Sequence, residues 1–186
     1  FGLEHVDLVK EYVGKSDIKM PILQSYPPET QDLSPLIKRV EAEKVDALLN
    51  YGYPPHTFLI NKQMPALGYN PKFFQNGVGT QFTSYRDAFG AAGVDGVCGN
   101  WALTPKMPYP GAKEYFEGYK KMFNEESAMG GEPAAYASLQ ILEQAIKKVG
   151  DLNREKIRDV IAKDTFDTII GTMRFEKGFN VQWPGD

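Results

Sequence analysis

The sequence predicts an α/β fold built on parallel strands, and three observations carry that expectation. Over the first hundred residues, stretches with helical periodicity alternate strictly with short apolar runs. The runs end in Asn, Gly or Pro, which stop strands. The intervening helices keep their apolar residues on one face. Strands separated in this way pair in parallel, because the chain must cross back over the sheet before the next strand begins.

The first helix is expected over residues 3 to 14, with Val6, Val9 and Val13 on one face and Gly14 ending it. Ile18 to Leu23 reads as a short strand, with Pro21 keeping it from a central position. The stretch "QDLSPLIKRVEAEK" starts a helix, where Ser34 can cap and Pro35 suits the first turn. The strand "VDALLNY" follows, then a helix from about Pro55 to Met64 cut by Pro65, then the strand "PKFFQNG". Tyr85 to Ala92 is a short helix and "GVDGVCGNWAL" a glycine-rich strand ended by "TPKMPYPG". Three helices come next: Ala112 to Phe123, Ala134 to Val149 with Leu139, Leu142, Ile146 and Val149 in register, and Asn153 to Lys163 with Asn153 as cap. Two short strands about Gly171 are read in "FDTIIGTMRFEKG".

Composition narrows function. The chain has 186 residues, 42% of them hydrophobic, and a net charge of -3 with interspersed signs. It has no basic stripe for nucleic acid and no apolar run of the ~18 residues that span a bilayer. A single cysteine, Cys98, allows no internal disulfide and reads as an inert packing thiol in a buried strand. His5 and His56 lie in no metal-ligand spacing, and no GxSxG, P-loop or GxGxxG occurs. Neither a catalytic constellation, a metal site nor a cofactor is therefore expected. "NGVGTQF", residues 76 to 82, reads as a tight turn that lets backbone approach a ligand.

The aromatic residues say more. Tyr26, Tyr51, Tyr53 and Trp101 each follow an expected strand, which places them at the carboxyl edge of the sheet where α/β proteins bind ligands. Tyr26 and Tyr51 read as packing residues; Tyr53 and Trp101 read as pocket walls, each a ring with a polar tip.

Two stretches resemble a known family. "SYPPETQDLSPLIKRVEAEKVDALL" and "AYASLQILEQAIKKVGDLNREKIRDVI", the latter followed by "FDTIIGTMRFEKG", are similar to the branched-chain amino-acid type of ABC-transporter solute-binding protein. The resemblance implies a type I periplasmic-binding-protein fold: two doubly wound parallel-sheet lobes with a hinge. This chain would cover most of lobe two and the C-terminal half of lobe one. Residues 1 to 106 would be lobe two, lacking its first strand; 107 to 178 the returning part of lobe one; 179 to 186 the start of the last passage to lobe two. On that expectation Phe1 follows the missing strand and "FNVQWPGD" is a shorter end than the family carries.

The resemblance also implies a role: capture of a small polar organic solute by hinge closure, without catalysis, and delivery to an ABC transporter permease. The location implied is periplasmic or extracellular, with room for a lipid anchor ahead of Phe1. A ligand-sensing domain of a regulator or receptor is the alternative that the same fold allows. Phe1 and Tyr53 match aromatic positions that line the family's cleft, and Gly77 stands where its amino-acid binders carry an acidic residue. Asn76 or Gln75 could supply a neutral contact instead, and Trp101 or Tyr53 could hold a cation over a ring. Glu132 falls near another family contact and is a candidate partner for a positive group.

Overall fold

The computed structural model describes residues 2–99 and 103–175, and the backbone of 181–182. It divides into two compact units, residues 1–100 and 101–186.

In the first unit, helices α1 (Gly2–Val13), α2 (Ser34–Ala42), α3 (Pro54–Ala66) and α4 (Thr83–Val94) accompany strands β1 (Ala47–Leu49), β2 (Phe73–Gln75) and β3 (Val97–Cys98). The strands form one parallel sheet in the order β1-β2-β3, with Leu48 opposite Phe74 and Phe74 opposite Val97. The core is built from Leu33, Ile37 and Val40 around α2, Ile60 and Met64 of α3, and Phe74 of β2. Burying each large apolar side chain there contributes about 1.5–3 kcal/mol.

Several local expectations change. Residues 18 to 23 form no strand, and Ile18 and Leu23 are exposed. Pro21 removes a ladder donor, and β1 pairs only with β2, so no described strand lies alongside this segment. Leu33, not Ser34, is the N-cap of α2; Asp32 supplies the capping oxygen, accepting from the Ser34 N–H at 2.9 Å and from Gln63 Nε2 at 2.9 Å. The α3 helix runs through Pro65 to Ala66, because a proline in the last turn forfeits one bond just where the helix stops. Gly90, with φ 66°, kinks α4. Cys98 is exposed rather than packed.

The second unit contains α5 (Ala112–Phe123), α6 (Gly131–Val149), α7 (Arg154–Lys163) and strands β4 (Thr165–Thr168), β5 (Gly171–Phe175) and β6 (Val181–Gln182), all antiparallel. Here too the helical face differs from expectation. Leu139 and Leu142 are exposed, whereas Ile146 and Val149 pack against the core as expected, and α6 also buries Pro133, Ala137, Ile141 and Ala145. Ala137 and Ala145, two turns apart on either side of Ile141, let the β4–β5 hairpin approach closely, and its buried Ile169 and Ile170 fill the space. Two glutamines one turn apart on α6 fix the hairpin: Ile169 N–H donates to Gln140 Oε1 at 2.9 Å, and Gln144 Nε2 donates to the Asp167 carbonyl at 2.9 Å. Gly171, with φ 112° and the Tyr109 ring against it, makes the turn.

Asn153 caps α7 as expected, its side chain accepting the Lys156 N–H at 3.1 Å. Substituting Asn153→Ala should lower stability by about 1 kcal/mol. Urea unfolding followed by circular dichroism checks this, with Asn153→Ser expected to remain near wild type.

Candidate functional site

The carboxyl ends of β1 and β2 are joined by side chains as well as backbone. Leu49 stands opposite Gln75 in the parallel register, so the next residues, Asn50 and Asn76, come side by side. Asn50 Nδ2 donates to Asn76 Oδ1 at 2.7 Å. Asn76 Oδ1 also accepts the Gly77 N–H at 3.0 Å, while Asn76 Nδ2 donates to the Thr57 carbonyl at 3.0 Å and to the Tyr85 hydroxyl at 3.1 Å. All four hydrogen-bonding valences of the amide are thereby used. On the other side, the Tyr26 hydroxyl donates to Asn50 Oδ1 at 2.6 Å. Burial raises the phenol pKa of Tyr26 and of Tyr85, so both stay neutral and keep their protons.

Asn76 is thus placed differently from a solute contact. Its side chain has 0% exposure and is turned inward to fasten the loops. Gly77 is buried against backbone: a Cβ there would collide with the Gly52 carbonyl oxygen and lie 2.8 Å from the Gly52 nitrogen. At Gly52 a Cβ would sit 2.6 Å from the Tyr26 hydroxyl, the tip of a side chain, and would displace the group that bonds Asn50. The Val78 N–H donates to the Gly52 carbonyl at 3.1 Å, continuing the parallel pairing past the strands. No side chain of any kind, acidic ones included, fits at residue 77 while these loops touch.

Tyr53 is carried by the same edge. It is the N-cap of α3, extended in backbone, and the residue is 57% exposed. Its carbonyl accepts the N–H groups of His56 and Thr57, each at 3.0 Å. Pro54 and Pro55 have no N–H, so this helix start directs no spare backbone donor at a ligand. Residues 50 to 61 and 76 to 85 contain no Asp, Glu, Lys or Arg. The edge therefore offers a solute an aromatic ring and neutral backbone.

Tyr53, Asn76 and Gly77 are brought together in this way, while Glu132 lies in the second unit, exposed in the first turn of α6. Phe1 and Trp101 lie outside the described residues. Tyr51 packs against His5, ring centroids 4.9 Å apart, and Tyr26 packs against the buried His56 at 5.0 Å. Asn50, Thr57 and Tyr85 were not singled out from sequence. The available signal was an Asn directly after each of two apolar runs, "LLN" and "FFQN". Among the described residues no cluster of three His, Cys, Asp or Glu could hold a metal ion, and no helix is long and apolar enough to cross a membrane.

Asn76→Asp keeps the shape but replaces two donors with an acceptor facing the Thr57 carbonyl. It should destabilise the protein by about 2–4 kcal/mol, since buried groups lose their partners. Equilibrium urea unfolding reads this directly; a change below about 0.5 kcal/mol would mean the network contributes little.

Comparison with known proteins agrees with this architecture. The family model described as "Periplasmic binding protein" matches residues 1–182. A leucine-, isoleucine-, valine-, threonine- and alanine-binding protein of Pseudomonas aeruginosa is 26% identical over 174 residues, covering 91% of this chain and 45% of the relative. The Leu/Ile/Val-binding protein homolog 7 of Brucella suis is 24% identical over 156 residues, covering 81% of this chain and 39% of the relative. The chain thus spans less than half the length of these curated relatives. Among solved structures, a leucine-binding protein of Thermotoga maritima superposes with a TM-score of 0.74 at 24% identity, covering 96% of this chain and 50% of that one. A type 1 periplasmic binding protein of Bordetella pertussis gives 0.73 at 16% identity, covering 98% and 57%. The type I fold expected from the two signature stretches is the fold found, and the chain belongs to the periplasmic binding protein family.

Proposed function

We propose that this protein is an extracytoplasmic solute receptor, periplasmic or extracellular, that captures a small polar organic solute by hinge closure and hands it to an ABC importer, with no catalytic step. The observation that carries the reading is the exposed Tyr53 ring on a charge-free carboxyl edge, in a chain of this family. Binding proteins work by differential affinity: a solute that touches both lobes only in the closed state shifts the population toward it. A micromolar solute provides ~8 kcal/mol for that shift.

The solute classes in view are amino acids, amides and small carboxylates. The names of the curated relatives favour aliphatic amino acids as the first to be tried. On the first unit, such a solute would meet Tyr53 through an apolar or neutral part, because no formal charge lies on the loops that follow β1 and β2. Any charged group it carries would be paired elsewhere in the protein.

Native mass spectrometry of the full-length protein should reveal a co-purified small molecule, which then serves as the calorimetric ligand. Tyr53→Ala is expected to weaken its binding at least about tenfold, burial of such a ring against a ligand being worth roughly 1.5–3 kcal/mol. Wild-type affinity in that variant would remove Tyr53 from the site.

A further inference from the structure

Asn76 and Gly77 form the only Asn-Gly pair in the sequence. In an open chain this dipeptide is chemically unstable. The glycine nitrogen attacks the side-chain carbonyl carbon of the asparagine, ammonia leaves, and the succinimide so formed takes up water to give aspartate or isoaspartate. Glycine permits this most readily, because it has no Cβ to hinder its nitrogen or restrict the backbone. The most reactive asparagine of the chain is therefore the one that fastens its carboxyl edge. We propose that Asn76–Gly77 is a latent deamidation site: the native network holds it closed, and opening of the edge exposes it to an irreversible conversion after which the edge cannot refasten.

Three features carry this assignment. First, nucleophile and target are adjacent but wrongly presented. The Gly77 N–H donates to Asn76 Oδ1 at 3.0 Å, so the nitrogen keeps its proton and meets the carboxamide near its plane. Attack on the carbon needs a deprotonated nitrogen above the carboxamide face. Turning that face would break the bonds to Asn50 at 2.7 Å, to the Thr57 carbonyl at 3.0 Å and to the Tyr85 hydroxyl at 3.1 Å. Second, the leaving group is held. Nδ2 must gain a proton to depart as ammonia, yet both of its N–H groups are committed to Thr57 and Tyr85, and the side chain has 0% exposure to water.

Third, the fold has no place for either product. Aspartate would set an acceptor against the Thr57 carbonyl and a buried charge among loops, 50 to 61 and 76 to 85, that contain no Lys or Arg to pair it. Isoaspartate routes the main chain through the former side chain and lengthens it by one carbon. That extra atom falls where Gly77 lies so near the Gly52 backbone that even a Cβ would collide. The whole conversion consumes one water and releases one ammonia, with nothing oxidised or reduced. Ring closure is slow beside the opening and reclosing of a fold, so a native chain deamidates in proportion to the time its edge spends open.

The modification is independent of the solute-receptor reading, so the failure of either leaves the other standing. Incubating the full-length protein at neutral pH in water labelled with heavy oxygen, one sample native and one in denaturing urea, followed by peptide mass spectrometry, tests it. In urea Asn76 should become a labelled mixture of aspartate and isoaspartate, and in the native sample at least about a hundredfold more slowly. Tyr85→Phe removes one acceptor of Nδ2 and keeps the ring; with circular dichroism showing it folded, its native rate should rise at least about fivefold, because a buried donor loses its partner. Converted chains, separated by charge and returned from urea, should unfold at lower urea than unmodified chains treated alike. Native conversion at the unfolded rate, an Asn76 that stays intact in urea, an unchanged native rate in Tyr85→Phe, or converted chains with the unmodified midpoint would each overturn the proposal.

Discussion

The amide-to-amide hydrogen bond between Asn50 and Asn76 is the constraint on which the carboxyl edge of the first unit depends. The strands it follows are short: β1 and β2 have three residues each. The backbone ladder runs on past them, Asn50 N–H donating to the Gln75 carbonyl and Val78 N–H to the Gly52 carbonyl. The in-register pairing also sets the two asparagines side by side, and their amides fasten this extension through side chains. Tyr26 on one side and Tyr85 with Thr57 on the other complete the row, so every polar atom of Asn76 is satisfied where water cannot reach it.

Two consequences follow for the surface above this row. The loops are drawn so close that only glycine fits at residue 77, and the edge loses any place for a side chain there. The α3 helix then begins at a fixed point, with two prolines after Tyr53 directing the chain into its first turn. A ring on such a support presents a surface with little freedom to reorganise, and contact with it costs a solute less ordering entropy than contact with a mobile loop. On the proposed receptor reading, the absence of charge on these loops would limit what the edge can select to shape and apolar surface, with polarity read through backbone groups.

Much of this architecture could be read from sequence because its signals are local. Seven helices were legible from periodicity and capping residues, and Asn153 met its expected partner. Tyr53 was legible as an edge residue because a strand end followed by Pro54 and Pro55 admits few conformations. What escaped was non-local. The inward turn of the Asn76 amide depends on Asn50, Thr57 and Tyr85, which lie 26, 19 and 9 residues away in the chain, and a strand at residues 18 to 23 depends on a neighbour that no described segment supplies. The buried face of α6 was legible only in part, through Ile146 and Val149, for the same reason: leucines outweigh alanines in any periodicity count, yet the hairpin packs where the small residues leave room.

Hydrogen exchange at single-residue resolution on the full-length protein tests the central claim most directly. The amides of Gly77 and Val78, bonded to the Asn76 side chain and to the Gly52 carbonyl, lie in a segment without regular secondary structure. If the Asn50–Asn76 bond fixes the edge, these amides should be protected as strongly as those of β2 and open only with the unit as a whole. Exchange at the fast rate of an ordinary surface loop would contradict the account, leaving the edge a flexible loop and Tyr53 without a rigid support.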